Sequence, residues 1–186
     1  MKRAIAILLL AGCLQGCIGV FVAGAAAGGA VVYDRRSLKT MSQDIKLADD
    51  VSHAIQVDDE FRGSHIVTSS FHHVVLLAGQ TPSDSLRVRA EQLAKAQPGV
   101  RQLYNEIQVG PRTSTLTRSS DSWITTKVKT EMLARKGLKA GDIKVITENG
   151  VVFLMGQVTP AQADLAVDVT REISGVQKVV KILNYA

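Results

Sequence analysis

Gly150-Val-Val-Phe-Leu-Met-Gly-Gln-Val-Thr-Pro160 reads as a short strand that ends at a glycine and a Pro-punctuated turn. Nearly the same phrase stands 77 residues earlier, as Val74-Val-Leu-Leu-Ala-Gly-Gln-Thr-Pro82. A phrase repeated at this distance signals two copies of one small module. The shift of 77 carries Asp44 onto Asp121, Leu47 onto Ile124, Val51 onto Val128, Ile55 onto Met132, Ile66 onto Ile143 and Gly79 onto Gly156. One residue is then lost, so that Gly99-Val100 falls on Gly175-Val176 and Ile107 on Leu183. Apolar positions stay apolar throughout, which sets the register for everything else.

Each copy reads helix, strand, strand, helix, strand. In the first, Asp44 is the expected N-cap of a helix whose inward stripe is Leu47, Ala48, Val51, Ala54 and Ile55. Strands at His65–Ser70 and Val74–Ala78 form a hairpin. Pro82 opens a second helix with Leu86, Arg89-Ala90, Leu93 and Ala94 inward, and Val100–Val109 is the last strand. In the second copy, Ser120 or Asp121 is the expected cap. The Glu148-Asn149-Gly150 turn carries the strongest short hairpin signal, because Asn and Gly accept positive φ. Pro160 precedes a helix with Ala163, Leu165-Ala166, Val169 and Ile173 inward, and Val176–Tyr185 closes the chain. The expected fold class is α+β: in each copy two helices pack on a three-stranded mixed sheet and cover one of its faces.

The chain begins with a short basic region, Met1-Lys2-Arg3, and an apolar core, Ala4–Ala11, too short to span a bilayer. Two overlapping lipoprotein processing boxes follow, Leu10-Ala-Gly-Cys13 and Leu14-Gln-Gly-Cys17. Cys17 gives the more workable signal length and is the expected acylation site, with Cys13 as the alternative. Three acyl chains on one cysteine would anchor the protein stably. Residues 18–33 are apolar but rich in Gly and Ala. A tether that lies on the membrane and a second membrane span both fit this run, although it is shorter than the ~20 residues a span needs. The expected organisation is a signal peptide at 1–16, an acylated tether at 17–43, modules at 44–110 and 121–186, and a Ser/Thr-rich linker at 111–120. Ile18 follows Cys17 and is not the aspartate that resembles an inner-membrane retention signal; that resemblance implies the outer membrane, with the protein facing the periplasm.

Composition narrows the chemistry. With 186 residues, 46% apolar but only 4% aromatic, the cores must be small and aliphatic. Both cysteines lie in the first 17 residues, so the modules have no thiol ligand or nucleophile. No Ser-His-acid order, phosphate-binding glycine loop or CxxC is present, and the second module has no histidine. His72 and His73 are neighbours on a turn whose side chains diverge, which argues against a metal site. An enzyme, a cofactor and a nucleic-acid partner are therefore not expected.

The copies differ most in their first helices. The first has Lys46, Asp50 and His53 where the second has Trp123, Lys127 and Thr130, with Lys129, Arg135, Lys136 and Lys139 around them. Residues 44–109 hold six basic and nine acidic residues, and residues 121–186 hold nine and seven. A lone amphipathic Trp among cations suits a membrane interface, while packing against the other module is the competing reading.

The repeated Asp-x-x-Ile/Leu helix, the strand Val-x-Leu-x-Gly and the closing Gly-Val strand resemble tandem BON domains. With the lipoprotein box, Asp34-Arg35-Arg36-Ser37, Tyr104-Asn105-Glu106 and Asp121-Ser-Trp-Ile-Thr-Thr-Lys-Val128, nearly the whole chain is similar to the dual BON-domain lipoproteins of Gram-negative bacteria. That resemblance implies an outer-membrane lipoprotein, anchored by lipid on the periplasmic face, that maintains envelope integrity at the division site. It implies binding of anionic phospholipid, notably phosphatidylglycerol, through the first helix of the second module. Carried over by motif, the lipid-binding residues are Trp123, Lys127, Val128, Thr130, Glu131, Leu133 and Ala134, with Gly150 beside them. A periplasmic adaptor is the alternative. It would dock an envelope or division protein on the Trp123 surface or on an exposed sheet face.

Overall fold

The computed structural model describes residues 38–185. The signal peptide, Cys13, Cys17 and the tether as far as Ser37 lie outside the described residues. The first copy consists of α1 (Leu38–Gln56), a 3-10 turn (Asp59–Gly63), β1 (His65–Phe71), β2 (Val74–Thr81), α2 (Asp84–Lys95) and β3 (Gln102–Val109). The second consists of α3 (Thr115–Ala134), a 3-10 turn (Ala140–Asp142), β4 (Ile143–Glu148), β5 (Val151–Val158), α4 (Pro160–Arg171) and β6 (Lys178–Tyr185). Each copy forms a mixed sheet with the hairpin strands antiparallel and the last strand parallel to the central one, in the orders β1-β2-β3 and β4-β5-β6. The α+β reading holds in both.

The central strands show why this phrase governs the fold. Along β5, Val152 and Leu154 point at the helices and join Ile124, Val128, Met132, Ala166 and Val169 in one core. Val75 and Leu77 of β2 do the same with Leu47, Val51, Ile55 and Ala90. The intervening residues face the other way, as alternation along a strand requires. Leu76, Ala78, Val74 and Phe71 there meet Phe153, Met155 and Ile182. The two sheets are packed face to face. Helices cover one side of each sheet, as expected, and the other copy covers the second side. No open sheet face at these residues is left for a docking partner. A strand buried on both sides reads as an unbroken apolar run, and Val151–Met155 is such a run.

Polar bonds edge this contact. Glu148, buried, accepts from Gln80 Nε2 at 3.2 Å and Thr113 Oγ1 at 3.3 Å, and its other oxygen lies 3.4 Å from His65 Nε2. Lys144 Nζ donates to the Ser70 carbonyl at 3.1 Å. Thr113 N also donates to Gln80 Oε1 at 3.1 Å, so the segment before α3 is tied to both sheets.

The two helix-start aspartates do something other than cap. The hairpin loops His72-His73 and Asn149-Gly150 hold φ values of 50° and 65°, and of 50° and 73°. Such consecutive left-handed residues form the tight turns that match strand twist. Asp44 accepts from the backbone N–H of His72 (2.8 Å) and of His73 (2.9 Å), and from Ser70 Oγ (2.9 Å). Asp121 accepts from Asn149 N (2.8 Å) and Gly150 N (2.9 Å). Both carboxylates are buried, on the inward stripe one turn before Leu47 and Ile124. The helices therefore start earlier than expected, α1 already from Leu38 and α3 from Thr115. The cap of α3 is Ser114, whose Oγ accepts from Thr117 N at 3.1 Å. Residues 38–43 and the Ser/Thr-rich residues 115–120 are helical extensions. Exposed polar side chains lower helix propensity but do not forbid a helix that is capped and anchored further along.

Candidate functional site

α3 has two faces of different character. Asp121, Ile124, Val128 and Met132 are buried and fix the helix against β4 and β5. On the opposite side Leu116 is 81% exposed, Trp123 55% and Leu133 41%, with Thr130 and Ala134 also open to solvent. Leu116, Trp123 and Thr130 follow at seven-residue steps, two helical turns each, so they share one outward stripe. From Leu116 to Ala134 this face is about 27 Å long, at roughly 1.5 Å per residue.

Beside the stripe runs a groove of about 420 Å³ between α3 and the end of α4. Trp123, Lys127, Glu131, Ala134 and Arg135 form its α3 wall, and Val169, Glu172, Ile173 and Ser174 form the other. Lys127 Nζ lies 2.8 Å from Glu131 Oε1, one turn along the helix. Both ends of that pair are half exposed, so solvent screens it and the lysine is free to exchange partners at little cost. At the matching place in the first copy, Lys46 is paired with Asp50 at 2.6 Å. An ion pair there corresponds to Trp and Lys here.

The structure thus sorts the expected site residues. It brings Trp123, Lys127, Glu131 and Ala134 together on the groove, and places Thr130 and Leu133 on the open side of the same helix. Thr130 Oγ1 is turned back onto the Thr126 carbonyl at 2.9 Å, which leaves its methyl group outward. Val128 is 0% exposed and belongs to the core, so it cannot meet a ligand while the module is folded. Gly150 is buried in the hairpin turn against Asp121 and Gln177 N. Both are corrections: they hold the helix and the turn, and touch nothing outside. Trp123 takes no part in the contact between modules, which Phe71, Leu76, Phe153 and Met155 make. Leu116 was missed because it stands in a Ser/Thr-rich stretch; its spacing of seven from Trp123 was the available signal. Val169, Glu172, Ile173 and Ser174 come from the α4 wall, which no local motif announces.

Among the described residues no helix is long and apolar enough to cross a membrane, and no group of three or more His, Cys, Asp or Glu side chains is placed to hold a metal. What the fold and this face define is a two-module α+β binding protein with an amphipathic helix turned outward. The BON domain family model matches residues 43–111 and 120–186, and the chain belongs to that family. It is 41% identical over 173 residues to the outer membrane lipoprotein DolP of Haemophilus influenzae, covering 92% of this chain and 90% of that one. It is 42% identical over 153 residues to a 21 kDa hemolysin of Actinobacillus pleuropneumoniae, covering 82% and 79%. The osmotically-inducible protein Y of Escherichia coli is 26% identical over 156 residues, covering 82% and 78%.

Proposed function

We propose that the outer face of α3 and its groove are where this protein binds anionic phospholipid, phosphatidylglycerol in particular. The protein is a non-enzymatic BON-domain lipoprotein of the outer membrane, held by lipid on the periplasmic face and serving envelope integrity and division. The observation that carries the proposal is Trp123, more than half exposed in line with Leu116 on a helix whose other side is fully packed. An indole at headgroup depth buries its ring and keeps its N–H wet, while Lys127, Lys129, Arg135 and Lys136 meet phosphate. Binding through one face of a rigid module needs no unfolding, since the core stripe stays behind. Trp123, Lys127, Thr130, Glu131, Leu133 and Ala134 are the contact residues in this reading, with Leu116 and Arg135 added and Val128 and Gly150 removed.

The second reading keeps the same place and changes the partner. The groove has carboxylates, Glu131 and Glu172, as well as cations, a mixed wall that fits a protein side chain from an envelope or division protein. Vesicle co-sedimentation of the unacylated protein separates the two. Lipid binding predicts retention on phosphatidylglycerol vesicles, loss on phosphatidylcholine vesicles and weakening with salt. Equal behaviour on both lipids contradicts it.

A further inference from the structure

The groove beside α3 carries a charge that a phosphate does not ask for. Its α4 wall holds Glu172, the exposed C-cap residue of α4. A carboxylate in that place meets the negative end of the helix dipole, where a cation would be favoured. Among the described residues no cation is paired with it, and its neighbour Arg171 lies 3.1 Å from Asp168 instead. The matching C-cap of the first module is Ala96, with Pro98 in the place of Ser174 and Asp58 in the place of Arg135. The fold therefore does not require a carboxylate here. Residues that break a local rule without a structural return are expected at functional sites.

On the α3 wall the Arg135 guanidinium is likewise without a hydrogen bond or ion pair among the described residues, and Lys127 is held only by its exposed pair with Glu131. The groove thus offers cations on one wall and an unused acceptor on the other. A phosphodiester with no further polar group would use the cations and be repelled by Glu172. A headgroup that carries hydroxyl donors beyond its phosphate uses both walls, because a carboxylate accepts strong hydrogen bonds. There is room for such a group: the groove is about 420 Å³, and a cavity of about 150 Å³ already holds benzene.

We propose that Glu172 selects the polyol headgroup: it accepts hydrogen bonds from the glycerol hydroxyls of phosphatidylglycerol while Arg135 and Lys127 hold the phosphate. This rests on the reading of the α3 face as a lipid site and adds to it a choice among lipids of equal charge.

Phosphatidylmethanol is the discriminating probe, with the same phosphodiester and the same single charge but no hydroxyl. Trp123 emission of the unacylated protein, titrated with phosphatidylcholine vesicles containing equal fractions of either lipid, gives both affinities. Phosphatidylglycerol should bind about fivefold more tightly, the worth of one hydrogen bond. Glu172→Ala, which copies Ala96, should erase that preference by weakening phosphatidylglycerol alone. Arg135→Ala should weaken both lipids by the same factor. A carboxylate that merely repels the membrane gives the opposite sign, with Glu172→Ala strengthening both lipids. That result, or binding of both lipids without preference by the wild type, overturns the proposal and leaves the lipid site standing. Phosphatidylethanolamine bound as tightly as phosphatidylglycerol also overturns it, by assigning Glu172 to an ammonium. Binding of none of these lipids brings down the lipid site itself, and the proposal with it.

Discussion

Replacing Trp123 with alanine removes the largest apolar side chain on the α3 face. Trp123 is 55% exposed, so of the roughly 250 Å² such a side chain can bury, about 140 Å² is available to a membrane. At about 25 cal/mol per Å², full insertion would be worth roughly 3.5 kcal/mol. A ring lying at headgroup depth gains about half of that, near 1.7 kcal/mol, which corresponds to about a twentyfold loss of affinity in Trp123→Ala. Stability should change little, by about 0.5 kcal/mol or less, because the side chain belongs to no core cluster. The chain contains one tryptophan, so its emission reports the site directly. On phosphatidylglycerol vesicles the emission of the wild-type protein should shift to the blue, and titration gives the affinity. A loss smaller than about twofold, or no spectral shift at saturation, refutes the reasoning.

Further consequences follow from the hairpins and the ion pairs. Asp121→Ala leaves two backbone donors of the turn without their charged acceptor and should cost about 3 kcal/mol in urea unfolding, with Asp44→Ala costing at least as much. Grafting the second turn onto the first, His72→Asn with His73→Gly, should raise stability by about 1 kcal/mol, because the left-handed backbone then carries residues that tolerate it. Gly156→Ala would bring a methyl group 2.6 Å from the Asp142 carbonyl, and the second module should lose its cooperative unfolding transition well before the first. Glu91 is held below its ordinary value of 4.5 by hydrogen bonds from Lys95 and then Asn105. Its contribution to stability is present above that pH and is lost as the pH falls through the lowered value. The stability gap between wild type and Glu91→Gln should therefore close in acid, while a constant gap contradicts the assignment.

Much of this architecture was legible in the order of residues. The repeat aligned core with core, and the apolar run of β5 ending at its glycine placed the strand. What escaped was the second use of that strand. Val151–Met155 carries no polar residue at alternate positions, a sign that both sheet faces are covered, yet the covering surface lies 77 residues away in the other copy. Asp44 and Asp121 misled for a related reason. Just before an apolar stripe an aspartate looks like a cap, but one turn before Leu47 or Ile124 it also points inward. Only the packed hairpin shows which backbone groups it serves. Trp123 and Lys127 stood out in the comparison of copies because the first has a lysine–aspartate pair there. Val128 came in with them by motif, although its position on the helix assigns it to the core. Leu116 and the α4 wall were hidden by a Ser/Thr-rich stretch and by distance along the chain.

In the proposed mode α3 meets lipid with one face while the rest of the molecule stays as it is. An amide-shift map of the unacylated protein titrated with phosphatidylglycerol micelles tests it most directly. Changes concentrated between Leu116 and Arg135 and at residues 169–174, with β2 and β5 undisturbed, are the predicted result. Changes centred on α1 and α2 of the first module, or none anywhere, would contradict it.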